Sequence, residues 1–554
     1  MRTFRVIAAS LLILAAPLAA AVQDQADHHH AAPETLGTVD FRTSCKSTIR
    51  PDFNRAVALM HSFQFGPASD GFRSVLRRDP DCAMAYWGIA LSSWSNPFAG
   101  YKSPAQLAQG LAAVDAGRAA AARTARERAY LDAVAHLYVD SARIRQPARV
   151  AAYETAMAKV STDFPDDTEA RIFYALALAA AADPADKTYA KQRKAGAMLE
   201  ALFVRFPHHP GLAHYIIHAY DEPELAARAA AAARRYGDIA PSTPHALHMP
   251  SHTFTRIGDW QASIATNLAS AESARRAGQP ADELHASDYM VYAYLQSAQD
   301  GAARKLVSAA EATFQRFDPA HASGAAPASA AFFAYAAIPA RFCLERRDWA
   351  AAIALKARPS PFPYADAITI FTQGLGAAHL KNAAIAEQSI AALADLRDRL
   401  RAANDSYWAD QVEIQGLEVA AQWAVARGDI ARGRALLLRA AAMEDVTELA
   451  SITPGPFVPA REMLGELLLE ATQPQLALAE FKSTLARQPH RFWSLYGAAK
   501  AAGLAGDPEA ARTYFEQLLA IAPRADLPRR AALIEAASVV AGARHPAGEG
   551  RTAR

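Results

Sequence analysis

The chain has 554 residues, with 58 Lys and Arg against 56 Asp and Glu and a hydrophobic share of 52%. So even a balance gives no electrostatic reason to expect nucleic acid or an anionic membrane as partner. The length exceeds that at which a single core keeps growing, so several domains or a repeat array are expected, and the Ala-rich composition favours a helical array.

The N-terminus has the pattern of an export signal. Arg2 and Arg5 form a short basic start, Val6 to Leu14 is apolar, and small residues end in Ala19-Ala20-Ala21. Cleavage is expected after Ala21. The apolar run falls short of the ~20 residues that a spanning helix needs, and no twin-Arg pair or nearby Cys indicates a Tat or lipoprotein route. The expected location is periplasmic or secreted, with no membrane span after cleavage. Residues 22–50, which include His28-His29-His30, Pro33 and Gly37, read as a flexible leader. Of the three cysteines, Cys45 and Cys82 flank the first helical hairpin and are the better disulfide pair in an oxidising compartment, leaving Cys343 reduced. The plainer alternative is three buried free thiols. No CxxC zinc pattern is present.

From Asp52 onward the apolar spacing is helical, with no alternating strand runs. A small residue, a ring four residues later and a Pro eight further on recur as Ala68, Phe72 and Pro80, as Ala477, Phe481 and Pro489, and as Ala511, Phe515 and Pro523. That spacing puts a small residue where a partner helix approaches, and a ring one turn later on the same face. In the middle, Ala195, Leu199 and Pro207 return after 34 residues as Ala229, Ala233 and Pro241, and again, more loosely, as Ser263, Asn267 and Arg275. Gly258-Asp259, Arg347-Asp348 and Gly428-Asp429 are hairpin turns. Ser451 to Pro459 carries three Pro and a Gly and reads as a break between an array over 51–450 and C-terminal repeats over 451–540. Residues 541–554 read as a disordered tail.

These spacings, with Cys82 to Gly88 (CAMAYWG), resemble those of tetratricopeptide repeat (TPR) proteins. The stretches 209–221, 244–254 and 455–470 are similar to a set of exported bacterial proteins of this type, from which no activity carries over. The resemblance implies an all-α, right-handed superhelical solenoid of antiparallel hairpins, with a concave groove that takes a protein or peptide partner.

The histidines form the sharpest pattern. Both units open PxxxHxxxH, as Pro210-His214-His218 and as Pro244-His248-His252, in the same 34-residue register. The resemblance assigns these positions to the concave face, extended by Asp221 and Glu222 in one unit and by Thr255 and Arg256 in the next. Residues four apart share a helix face, and first helices of a stack lie about 8–10 Å apart. His214, His218, His248 and His252 are therefore expected to converge on Zn²⁺ or Cu²⁺. The plain alternative is a polar groove. Pro250 complicates the second pair, since Pro inside a helix removes a hydrogen bond. A helix starting at Pro250 would leave His245 and His248 on the entering loop and make His245 an alternative ligand. His285 and Asp288, near the groove by count, are secondary candidates, and His61 reads as structural.

No GxSxG, P-loop or HExxH motif is present. The favoured reading is a non-enzymatic exported scaffold. Its rivals are a metal-dependent hydrolase with Asp221 or Glu222 as base, and a metal storage or delivery protein.

Overall fold

The computed structural model describes residues 34–120, 122–321 and 324–542. The expected export signal, His28 to His30 and most of the expected tail lie outside them. From Thr35 onward the described residues form one compact unit. They are helical hairpins joined by short turns, without a strand, and no helix among the described residues is long and apolar enough to cross a membrane. The TPR-type all-α solenoid expected from the spacing is the observed fold.

The hairpins are built as the spacing requires. Ala68 and Phe72 are fully buried, and a Cβ on Gly88 would lie 2.4 Å from the Phe72 ring, so only Gly lets that helix approach. Phe481 fills the same niche against Gly497. Turns between helices use one left-handed residue followed by a capping Asp. Gly258 (φ 73°) precedes Asp259, Arg347 (φ 56°) precedes Asp348, and Gly428 (φ 86°) precedes Asp429. Each Asp accepts a bond from an amide in the first turn of its helix, satisfying a donor that helix geometry leaves orphaned.

The chain does not keep an open concave face. The Arg50–His61 helix packs against the Pro210–Ala219 helix. C-terminal repeats return to the middle of the array, where Trp260 donates its indole N–H to the His490 carbonyl at 3.1 Å and Asp526 N–H bonds Ala298 O at 3.0 Å. Two buried guanidiniums fix this return. Arg341 bonds Asp288 (2.7 Å), Thr453 Oγ1 (2.7 Å) and Gly455 O (3.0 Å). Arg491 pairs with Glu345 (2.7 Å) and Glu462 (2.9 Å).

Two expectations are corrected. The stretch 35–49, expected as flexible leader, is anchored: Phe41 is 1% exposed and packs on Phe53, Trp87 and Tyr130, and Thr38 N–H bonds His208 O. It lacks periodicity because it runs as irregular chain across helices that supply its partners. Ser451 to Pro459 does interrupt the helices, but it straps the centre of the molecule rather than separating units. Arg341 holds its backbone, and Tyr289 donates to Ser451 O at 3.0 Å.

Cys45 and Cys82 are joined in a disulfide that spans 37 residues, with Cα atoms 5.0 Å apart, while Cys343 is a buried free thiol pushed up to about 11 by burial. Closing a loop of that length restrains the unfolded chain by about 3–4 kcal/mol. Replacing both residues, Cys45→Ala with Cys82→Ala, is expected to lower unfolding stability by about that amount in a urea titration. A change under about 1 kcal/mol would show that the anchored stretch holds without the crosslink.

Candidate metal centre

The Pro210–Ala219 helix carries His214 and His218. In the next unit the first helix is divided: Pro244–His248 forms one short segment, Pro250–Arg256 another, and Met249 between them keeps helical dihedrals. Pro250 has no N–H to give Ala246, so the ladder breaks there while Met249 N–H still bonds His245 O at 2.9 Å. His245 and His248 thus sit on a helical turn of their own rather than on a loop. The Pro280–Gln296 helix adds His285 and Tyr289.

Six imidazoles gather from these helices in two groups of three. The ligand atoms of His214, His218 and His245 lie within 4.8 Å of one another, as do those of His248, His252 and His285. The four histidines expected at one point are therefore divided between two, each completed by one of the secondary candidates. The groups adjoin: the His245 and His248 rings are 6.2 Å apart between centroids, and those of His218 and His252 are 6.4 Å apart.

Hydrogen bonds fix the tautomers. His214 Nδ1 lies 2.6 Å from the His61 carbonyl, which can only accept, so this nitrogen carries the proton and Nε2 holds a free lone pair. His248 Nδ1 faces Asn267 Oδ1 at 2.7 Å, and the Asn267 amide is oriented by its own donation to Ser263 O. His252 Nδ1 meets Asp221 Oδ2 at 2.9 Å. Both of these rings thus donate from Nδ1. Yet their Nε2 atoms face each other at 3.0 Å. Two lone pairs at that distance repel, so a cation, whether a proton or a metal ion, must sit between them. In the other group His214 Nε2 and His245 Nε2 are likewise 3.0 Å apart. His218 Nε2 and His285 Nδ1 are buried with no partner in protein, an uncompensated state that costs about 1–3 kcal/mol per group.

The surroundings favour neutral rings. Burial, reinforced by the neighbouring histidines, holds His218, His245 and His248 well below the usual histidine range. Burial puts His214 and His285 at about 3. Asp221 stays ionised despite its burial because Arg256 and His252 lie beside it. Its second oxygen takes the Arg256 Nε–H at 3.0 Å. A cavity of about 240 Å³ opens onto both groups, lined by His218 and His245 of one and by His252 and His285 of the other. Lys102 at its edge gives its amine to the Asn96 and Ala99 carbonyls, and burial pushes that amine down to about 7.

The residues expected on an open groove are placed differently. Thr255 is buried and bonded to Ser263 Oγ at 3.0 Å. Arg256 and Asp221 are committed to each other, which leaves Asp221 an orienting residue rather than a base. Glu222 does not line the cavity, and burial, with Glu448 and Asp221 adding to it against Arg256, pushes its carboxyl up to about 8. His61, expected as structural, donates from its ring to a hydrogen-bonded system with Glu169 (3.0 Å) and Tyr215 (3.0 Å), while its carbonyl orients His214. Sequence reasoning missed Asn267 as a partner of His248, along with Tyr289, Phe63 and Phe98. The one signal for the third helix is Pro280-x₄-His285-x₃-Tyr289, the earlier pattern with one residue inserted and Tyr in place of the second His.

No protein-family model matches the chain, and no curated protein matches it. Among solved structures it is similar to human IFIT1 in a dimer with m7Gppp-AAAA, at 11% identity over 79% of this chain and 90% of that one, with a TM-score of 0.35. It is also similar to the APC/C hetero-tetramer Cut9–Hcn1, at 11% identity over 90% and 96%, with a TM-score of 0.31. Both are distant helical proteins, and no feature of the histidine groups rests on them.

The depressed histidines give a signed pH dependence. Between 6.5, where the unfolded rings protonate, and about 3, where His214 and His285 do so in the fold, the unfolded chain binds more protons. Chelator-treated protein should therefore lose stability steadily as pH falls through that window, read as a falling urea midpoint. A midpoint unchanged from pH 7 to pH 5 would mean that the rings are not held neutral by burial.

Proposed function

We propose that this protein is an exported metalloprotein whose closed helical-repeat scaffold holds two metal ions side by side, one in each tri-histidine group. The observation that carries this reading is the 3.0 Å approach of His248 Nε2 and His252 Nε2 while both Nδ1 atoms donate to fixed acceptors. Metal-binding histidines have this arrangement: the second ring nitrogen is hydrogen-bonded to a carboxylate, carbonyl or amide, which sets the tautomer and aims the other at the ion. Imidazole-only ligand sets suit zinc or copper. Three protein ligands leave a fourth position open, as at catalytic sites, whereas closed structural sites use four.

The cavity reaches histidines of both groups, which favours a metal-dependent catalyst over storage. It also favours a catalyst over peptide capture, because a peptide would need the concave face that the strap and the terminal repeats occupy. The general role of a helical-repeat scaffold remains, with the site on the inside.

The test is metal content after purification from an oxidising compartment and after titration with Zn²⁺. Two ions per chain are expected, one for each group. Replacing His214 and His218 together with Ala should remove one ion and leave the helical circular-dichroism signal intact, and His285→Ala should weaken the other. Asp221→Asn keeps the shape but loses the charge that orients His252, and should weaken metal affinity about 10–100-fold. Wild-type protein that retains no stoichiometric metal would reduce the cluster to a buried polar core.

A further inference from the structure

Resting on the two-metal reading, we propose that the ions are copper and that the pair reduces dioxygen, each group holding one Cu(I) that gives up one electron.

The charge balance points this way. Every side chain in both groups is an imidazole, and the nearby carboxylate, Asp221, is already offset by Arg256 at 3.0 Å. Two divalent ions would bring four positive charges into a buried site with no net anion to compensate them. The cost of burying charge rises with its square, so two monovalent ions suit this environment far better. Cu(I) is monovalent, binds imidazole well and accepts three nitrogen donors without a fourth. Zinc, which has only the divalent state, would require added hydroxide ions at all times, whereas copper requires them only when oxidised.

The geometry supplies the second part. The groups touch ring to ring, at 6.2 Å for His245 and His248 and 6.4 Å for His218 and His252, so two one-electron centres face one small volume. The cavity reaches histidines of both groups. Its walls include the Phe98 ring, stacked on His218 at 4.3 Å, together with Tyr364 and Trp408. Dioxygen fits such a space. In the reaction, dioxygen takes one electron from each Cu(I) and two protons from solvent and leaves as hydrogen peroxide, with both coppers now Cu(II) and a hydroxide ion, left when a solvent water gives up a proton, shared between them to offset part of the added charge and couple their spins. Two electrons from a small organic reductant of the enediol or aromatic-diol class return the pair to Cu(I).

The mature chain would be stripped of metal, loaded with Cu(I) under anaerobic conditions, and its copper counted by mass spectrometry. Dioxygen uptake and peroxide release would then be followed with ascorbate, an enediol, as reductant. Two coppers per chain are expected, with no electron paramagnetic resonance signal after oxidation because adjacent Cu(II) ions couple. Uptake should fall at least about tenfold in His252→Ala and in His285→Ala. His285 is only partly buried, whereas His252 is 3% exposed, so the second variant stays informative if the first fails to fold. Protein that binds two Zn²⁺ but, loaded with copper, takes up dioxygen no faster than free copper overturns this proposal and leaves the two-metal reading standing. Two separate Cu(II) signals overturn it equally. Protein that holds neither metal overturns both.

Discussion

Two buried guanidiniums hold the array closed, and the site exists only because it is closed. In an open solenoid each repeat touches its neighbours and the concave face stays wet. A buried Arg is tolerable only when its donors are answered, since an unpaired buried charge costs several kcal/mol. Arg341 and Arg491 are answered by residues from far apart in the chain: Asp288, Thr453 and Gly455 for the first, and Glu345 and Glu462 for the second. Asp288 lies next to Tyr289 and three residues from His285, so the strap it anchors lands directly over the histidines. A surface that the repeat would leave as a groove becomes interior. The low proton affinity of the rings follows from that burial.

Orientation of the rings comes from elsewhere. His214 is aimed by the His61 carbonyl, which belongs to the Arg50–His61 helix, and His61 is itself locked between Glu169 and Tyr215. A Cβ on Gly211 would lie 2.5 Å from His61 Nδ1, so the Pro210–Ala219 helix can approach only with Gly at that point. The disulfide-bonded N-terminal hairpin is thus part of the site's support although it contributes no ligand. Asp221 does the same for His252 from the other side, with Arg256 preventing the carboxylate from protonating or turning away.

Much of this was legible in the chain, and the limits have physical causes. The helix pairs, the 34-residue register and the facing histidines follow from local spacing, which a helix enforces through its period. The third helix was harder to read because one inserted residue before His285 shifts the count, although Pro280 and the four-residue step to Tyr289 survive. His61 O and Asn267 could not be read at all, because a backbone carbonyl leaves no mark in sequence and an Asn on a second helix has many uses. The closure was also invisible. It depends on contacts between residues 29 to 230 positions apart, and no local pattern records them. The expectation of an open groove failed for that reason, as did that of a flexible stretch over 35–49.

The division into two triplets, rather than one quartet, falls within the single short stretch that holds His245, His248 and His252. On an unbroken helix His245, His248 and His252 would all share one face, since offsets of three, four and seven residues return to the same side. Pro250 removes the N–H that would bond Ala246 and divides the helix in two. His245 Nε2 lies 3.0 Å from that of His214, while His248 and His252 face each other, also at 3.0 Å. One short stretch therefore serves both groups and joins them. Pro250, which costs about 3 kcal/mol in an ordinary helix interior, stands between His248 and His252, the two rings that this stretch gives to the second group.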